Sequence, residues 1–256
     1  FKKMATSKKG VLLLNLGSPD STEVKDVKKY LDQFLMDERV IDKPWLTRAL
    51  LVRGIIVPFR APKSAEAYKT IWTKEGSPLI VLTKQLQQAL QMEIEEPVAI
   101  AMRYGNPSPE AGFEALLSKQ PDLEEVVAIP LYPHYAMSSF ETAVEYTKEI
   151  YQKKKYSFKL TFVKPFYNET NYIHALAENI APIAAQLMGH HDAFLAPATT
   201  NGKNYMPRIA ALLAQMGRRV IVVVPSRFHQ AHIAGTTLHV TNGRDPLLDG
   251  DITVPV

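Results

Sequence analysis

Gly10-Val11-Leu12-Leu13-Leu14-Asn15-Leu16-Gly17-Ser18-Pro19 is the stretch on which the fold turns. Its apolar run, Val11 to Leu16, is short, shows no alternation of polar and apolar residues, and stops at Gly17-Ser18-Pro19. It therefore reads as a strand buried on both faces. From Ser21 to Phe34 the period changes, with Val24, Val27, Tyr30, Leu31 and Phe34 on one helical face and Ser21 or Thr22 placed to cap it. A buried strand passing through a tight turn into an amphipathic helix is the opening of a parallel α/β unit.

Outward from this stretch the grammar repeats. Further strands are expected at 97–102, 126–131 and 160–163, and helices at 110–117, 140–152 and 172–186. Past residue 188 the texture changes, with strands expected at 193–196, 219–224 and 252–256 and a helix at 207–215. The fold class is α/β: parallel sheets with helices on both faces, and ligands beyond the carboxyl ends of strands. Two domains are expected, residues 1–186 and a shortened, atypical second half at 187–256. Between them in character, 37–62 is an apolar excursion carrying Leu46, Leu50, Leu51, Ile55, Ile56 and Phe59. It reads either as a helix packed on the sheet or as a hydrophobic lip over an apolar ligand.

Composition narrows the function. The chain has no cysteine, which excludes disulfides, thiolate metal sites, iron–sulfur ligation and Cys nucleophiles. The net charge is only +4 and acidic and basic residues are interspersed, so nucleic acid is not an expected partner. The basic run Lys153-Lys154-Lys155 reads as a solvated helix end. No stretch reaches the length of a spanning helix. Phe1-Lys2-Lys3-Met4 lacks an apolar core before the first strand and does not read as a signal peptide, with Met4 the expected start. The expected location is cytoplasmic, with peripheral membrane contact left open and the oligomeric state unread.

Several segments carry chemistry at strand or helix ends. Gly76-Ser77-Pro78-Leu79 offers backbone N–H groups and a hydroxyl at a helix start, suited to a carboxylate. Met102-Arg103-Tyr104-Gly105 ends one strand with a cation and a phenol. Leu131-Tyr132-Pro133-His134-Tyr135-Ala136-Met137-Ser138-Ser139 ends another with phenols, an imidazole and two hydroxyls. With Leu14-Asn15-Leu16-Gly17-Ser18-Pro19, Phe34-Leu35-Met36-Asp37 and Arg60-Ala61-Pro62-Lys63-Ser64, these segments resemble the ferrochelatase family from Gly10 to about Gln186. The forms Pro133-His134-Tyr135-Ala136-Met137 and Phe34-Leu35-Met36-Asp37-Glu38-Arg39 look most like Bacteroidetes members.

The resemblance implies two Rossmann-like, chelatase-type halves with a porphyrin in the cleft between them. It implies insertion of Fe(II), as substrate, into a porphyrin dicarboxylate with loss of two N–H protons, and requires no cofactor. By carry-over, Leu16 stands where the family approaches the porphyrin metal, and a Leu there cannot coordinate. Ser18, Arg103, Tyr104, Tyr132, Ser138 and Ser139 are expected to line the cleft, with Arg103 on a propionate carboxylate. Leu46 to Phe59 matches the family's active-site lip. His134, at a strand's carboxyl end, is the expected proton acceptor, since imidazole chemistry suits neutral pH. Bending of the macrocycle supplies the strain.

The resemblance then stops. Where the family's second half has Ser-x-His-Gly-x-Pro, this chain has Ala193-Phe194-Leu195-Ala196-Pro197-Ala198-Thr199-Thr200. The stretch from Pro225 to Gly235, where a carboxylate run would fall, contains no Glu. Residues 195–213 separately resemble the electron-transfer flavoprotein alpha subunit, without its FAD signature, and no flavin site is carried over. His229 and His232, three apart, would share one face of a helix and are weak candidate metal ligands; His190 and His191 precede a strand and would point opposite ways. Two readings stand: a ferrochelatase, active or impaired, and a non-catalytic porphyrin-binding or scaffold module in a mosaic chain.

Overall fold

The computed structural model describes residues 8–187, 231–234, 237–240 and 250–253. Four parallel strands form the first sheet: β1 (Lys9–Ser18), β2 (Val98–Gly105), β3 (Glu125–Pro130) and β4 (Lys159–Phe162), in the order β2-β1-β3-β4. The opening stretch is central. Val11 pairs with Val98 on one side and Val127 on the other, so β1 has no free edge. Leu12, Leu13 and Leu14 are at most 2% exposed, which explains the unbroken apolar run: each successive side chain meets a covered face.

The helices are α1 (Val24–Leu35), α2 (Trp45–Ala49), α3 (Val57–Ile71), α4 (Pro78–Glu93), α5 (Pro109–Lys119) and α6 (Thr142–Lys154). Leu13, Ile100 and Met102 pack with Leu79, Ile80 and Leu90 of α4. Leu12, Leu14 and Ala101 pack instead with Phe113, Leu116 and Phe158. Helices thus cover both faces of the sheet. Pro109 opens α5, with the Ser108 hydroxyl accepting from Ala111 N–H at 3.3 Å. Helix α6 closes on Lys155 in the left-handed region, with exposed Lys153 and Lys154 in its last turn, where cations meet the negative end of the helix dipole.

From Trp45 on, the apolar excursion is one uninterrupted helical run, from α2 through a π-helical stretch, Leu50–Ile56, into α3. Pro58 and Pro62 have no N–H to return to the preceding turn, and there the pairing widens, with Val57 N–H reaching back to the Val52 carbonyl. One face, Val52, Val57, Ala61 and Ala65, packs against Val27, Leu31 and Leu35 of α1. The opposite face leaves Trp45, Leu46, Leu50, Ile55 and Phe59 between 57% and 74% exposed. The packing partner of the buried face is thus α1 rather than the sheet, and the other face is exposed apolar surface.

Two compact units divide at Phe166 and Tyr167, and the helix expected at 172–186 groups with the second unit. That helix is α7 (Thr170–Leu187). The second unit also contains an antiparallel three-stranded sheet, β5 (Ala231–Ala234), β6 (Thr237–Val240) and β7 (Gly250–Thr253). The strands expected at 193–196 and 219–224, the helix at 207–215 and the flavoprotein-like segment lie outside the described residues. No helix among the described residues is long and apolar enough to cross a membrane.

Candidate functional site

Beyond the carboxyl ends of β1 and β3 lies a cavity of about 600 Å³, where the parallel topology places ligands. Leu16 and Leu131 from the strand ends, and Ile71, Leu82 and Leu86 from α3 and α4, give it apolar walls. The rings of Tyr30 and Tyr68 close another side, edge-on to each other with centroids 6.4 Å apart. Leu82, Leu86 and Ile71 are also strongly exposed, so the apolar lining continues to the surface.

Four small polar side chains interrupt this lining. Asn15 donates to the Thr83 hydroxyl at 2.9 Å and accepts from Leu16 N–H at 2.8 Å, tying β1 to α4. Ser77 is the N-cap residue of α4, only 6% exposed, and its hydroxyl makes no capping bond. Because Pro78 and Leu79 also line the cavity, the α4 N-terminus borders it, and the unbonded N–H groups of a first helical turn favour an anion. Ser18 is 4% exposed and its Oγ finds no hydrogen-bond partner among the described residues. A buried hydroxyl left unpaired costs about 1–3 kcal/mol, so Ser18, in the cavity lining, is suited to bond a polar group there.

The strand ends themselves depend on glycine. Gly17 has φ +102°, and a Cβ there would stand 1.8 Å from the Tyr104 carbonyl oxygen. The close approach follows from the register, in which Gly17 lies opposite Tyr104. Tyr30 donates to the Gly17 carbonyl at 3.4 Å, which holds α1 against this turn.

Next to the cavity is a buried polar hub. Asp37, in the loop after α1, has its Oδ1 bonded by Arg39 N–H at 2.9 Å. Its Oδ2 accepts from the Tyr104 hydroxyl at 2.9 Å, and also from Arg103 Nη2 and the Thr142 hydroxyl. Arg103 Nε donates to Thr142 Oγ1 at 2.6 Å, and the guanidinium lies 4.3 Å from the ring centroids of both Tyr104 and Tyr146. Burial pushes the Asp37 carboxyl up. The bonds from Thr142 and Arg39, the Arg103 charge and the Tyr104 hydroxyl together outweigh that and hold it below the ordinary range. Burial also pushes the Tyr104 phenol up to about 12, against the pull of Arg103.

The sequence-nominated residues therefore separate. Leu16 and Ser18 line the cavity. Arg103 and Tyr104 do not: Arg103 donates through Nη2 to the chain's own Asp37 and through Nε to Thr142, where the sequence reading expected a substrate propionate. The Tyr132 hydroxyl is buried without a partner among the described residues, and burial, with Tyr104 and Tyr30 beside it, pushes its phenol strongly upward. His134 and Ser139 are half-buried and Ser138 is exposed, all on the segment between β3 and α6 and none in the cavity lining. His232 falls on strand β5, so the spacing does not place it on a helix face, and His229 lies outside the described residues, as do His190 and His191. Among the described residues no three His, Cys, Asp or Glu side chains are gathered as a metal cluster. Sequence reasoning missed Tyr30, Tyr68 and Asp37; the signal for Asp37 was an acid directly following the apolar end of a helix.

Comparison with known proteins is decisive for the first unit. The family model for ferrochelatase matches residues 8–200. The chain belongs to the ferrochelatase family. The ferrochelatase of Opitutus terrae is 49% identical over 181 residues, which is 70% of this chain and 52% of that protein. That of Porphyromonas gingivalis, one of the Bacteroidetes, is 48% identical over 174 residues, 67% of this chain and 49% of its own length. That of Pseudomonas savastanoi is 45% identical over 181 residues, again 70% of this chain and 52% of the relative. This ferrochelatase-family chain spans about half the length of the curated relatives it matches.

Proposed function

We propose that the chain binds a porphyrin dicarboxylate and takes part in inserting Fe(II) into it, with loss of two N–H protons. The observation that carries this reading is the cavity: about 600 Å³, walled by aliphatic side chains and tyrosine rings, with a helix N-terminus and a buried hydroxyl at its border. A flat aromatic ligand fits apolar walls and rings, and a carboxylate at its rim fits the Ser77 end of α4. Leu16 keeps that wall free of any metal ligand, so iron would approach from another side. Proton acceptance falls to His134, at the same end of the sheet as the cavity. The same reading places the chain in the cytoplasm, with the exposed Trp45, Leu46, Leu50 and Phe59 in peripheral contact with a membrane.

A second reading, binding without turnover, is supported by the sequence at Ala193 to Thr200, which holds no histidine. One experiment separates the two. The full chain is titrated with protoporphyrin and with its dimethyl ester, and Fe(II) insertion is followed on the same sample. The expected result is saturable binding of the diacid, weaker binding of the ester by roughly tenfold, and slow insertion. Ser77→Ala should narrow the difference between acid and ester. Binding without insertion favours the second reading, and no binding of either form refutes both.

A further inference from the structure

We propose that Asp37 is the positioning residue of this cavity, setting the tyrosine wall against which the ligand lies. The proposal rests on the porphyrin-binding reading above. Asp37 is not among the residues that line the cavity. Its carboxylate instead gathers a backbone N–H from its own loop, two side chains from the end of β2 and one from the start of α6.

The path from Asp37 to the cavity is short and made of rings. The Tyr104 hydroxyl is fixed on Asp37, and the Tyr104 ring, 1% exposed, stands edge-on to Phe34 at 5.2 Å and to Tyr30 at 6.4 Å. Tyr30 in turn stands edge-on to Tyr68, and both line the cavity. A second path runs through backbone: Tyr104 is paired with Gly17 across the sheet, and Gly17 has no room to move toward it. A change in the seating of Tyr104 therefore reaches the cavity by its ring and by its main chain.

The charge is what makes the seat specific. The Asp37 and Arg103 side chains are 2% and 13% exposed. A pair so buried is often no more stabilising than apolar side chains of similar volume, so its value here lies in geometry. An ionised carboxylate accepts all four bonds at once. An Asn of the same shape has a single acceptor oxygen: placed at Oδ2 it turns its NH2 on the Arg39 N–H, placed at Oδ1 it turns its NH2 on the Arg103 guanidinium, so either way a bond is lost and Arg103 loses its counter-charge.

The test uses the full chain and protoporphyrin as the probe. Wild type, Asp37→Asn, Thr142→Val and Tyr104→Phe are compared in unfolding midpoint, in porphyrin dissociation constant, and in the position and width of the Soret band of the bound porphyrin. Asp37→Asn should weaken binding about tenfold and shift the bound Soret band, as expected when one charge-assisted bond is lost. Thr142→Val and Tyr104→Phe should move both readouts the same way by less. Because they remove one group each, they carry the test if Asp37→Asn does not fold. A residue that only stabilised the fold would lower the midpoint and leave affinity and spectrum alone; that result overturns the proposal. If the wild type binds no porphyrin, the functional reading fails and this proposal with it, whereas wild-type binding with unaltered variants refutes the positioning role alone.

Discussion

Replacing Gly17 by alanine should damage this protein far more than the same change at Gly76, although both glycines have positive φ. Gly17 has φ +102° and Gly76 φ +120°, so either substitution forces a Cβ into a region L residues avoid, at about 1–2 kcal/mol. Around Gly76 a new Cβ meets nothing within 4 Å, and the cost ends there. At Gly17 it would stand 1.8 Å from the Tyr104 carbonyl oxygen and 3.1 Å from the Met102 Cβ. Neither neighbour can yield freely, because Gly17 and Tyr104 are a paired position between β1 and β2 and Met102 is fully buried. Relieving such overpacking costs about 1–3 kcal/mol more, and the strand ends must part to do it. The expected total is about 2–5 kcal/mol for Gly17→Ala against about 1–2 for Gly76→Ala. In a unit of this size each kcal/mol moves the melting midpoint by roughly 2–4 °C, so scanning calorimetry resolves the difference. Gly17→Ala should also blunt porphyrin binding, since Gly17 lies in the cavity wall. Equal shifts for the two variants would refute the close approach of β1 and β2 on which the site geometry depends.

The Asp37 carboxyl is held below its ordinary 3.8, so its stabilisation is complete above that value and is lost as pH falls through the lowered one. Acid titration of unfolding midpoints should therefore show the gap between wild type and Asp37→Asn closing as pH falls below 3.8, and a constant gap would contradict the ionised hub. Arg103→Ala should cost about 3–5 kcal/mol at neutral pH in a urea melt, because it strands a buried carboxylate; a cost below 1 kcal/mol would show Asp37 to be solvated or protonated. Changing Trp45, Leu50 and Phe59 to serine should leave the melting midpoint within a few degrees, since all three are more than 60% exposed, yet reduce sedimentation with phosphatidylglycerol vesicles. Exposed Lys43, Arg60 and Lys63 make that loss larger on anionic than on neutral vesicles; equal binding by variant and wild type removes the helix from any membrane contact.

The sequence by itself determined the parallel α/β unit, because burial on two faces leaves a signature in one dimension: three consecutive leucines that no half-exposed strand would carry. The four first strands and the helices at α1, α5 and α6 were legible for the same reason, as local periodicity written residue by residue. The family was legible too, since its short motifs sit at strand and helix ends where the chain must turn in a set way. The partners of each side chain were not legible. Arg103 looked like a cation awaiting a substrate carboxylate because its own carboxylate, Asp37, lies 66 positions earlier in the chain. Tyr30 looked like helix-face core and Tyr68 drew no reading at all, because their shared role as a cavity wall exists only once α1 and α3 are packed. Hydrogen bonds and ring contacts act over a few ångströms in space with no regard for sequence distance, so only the folded chain decides which groups are paired with one another.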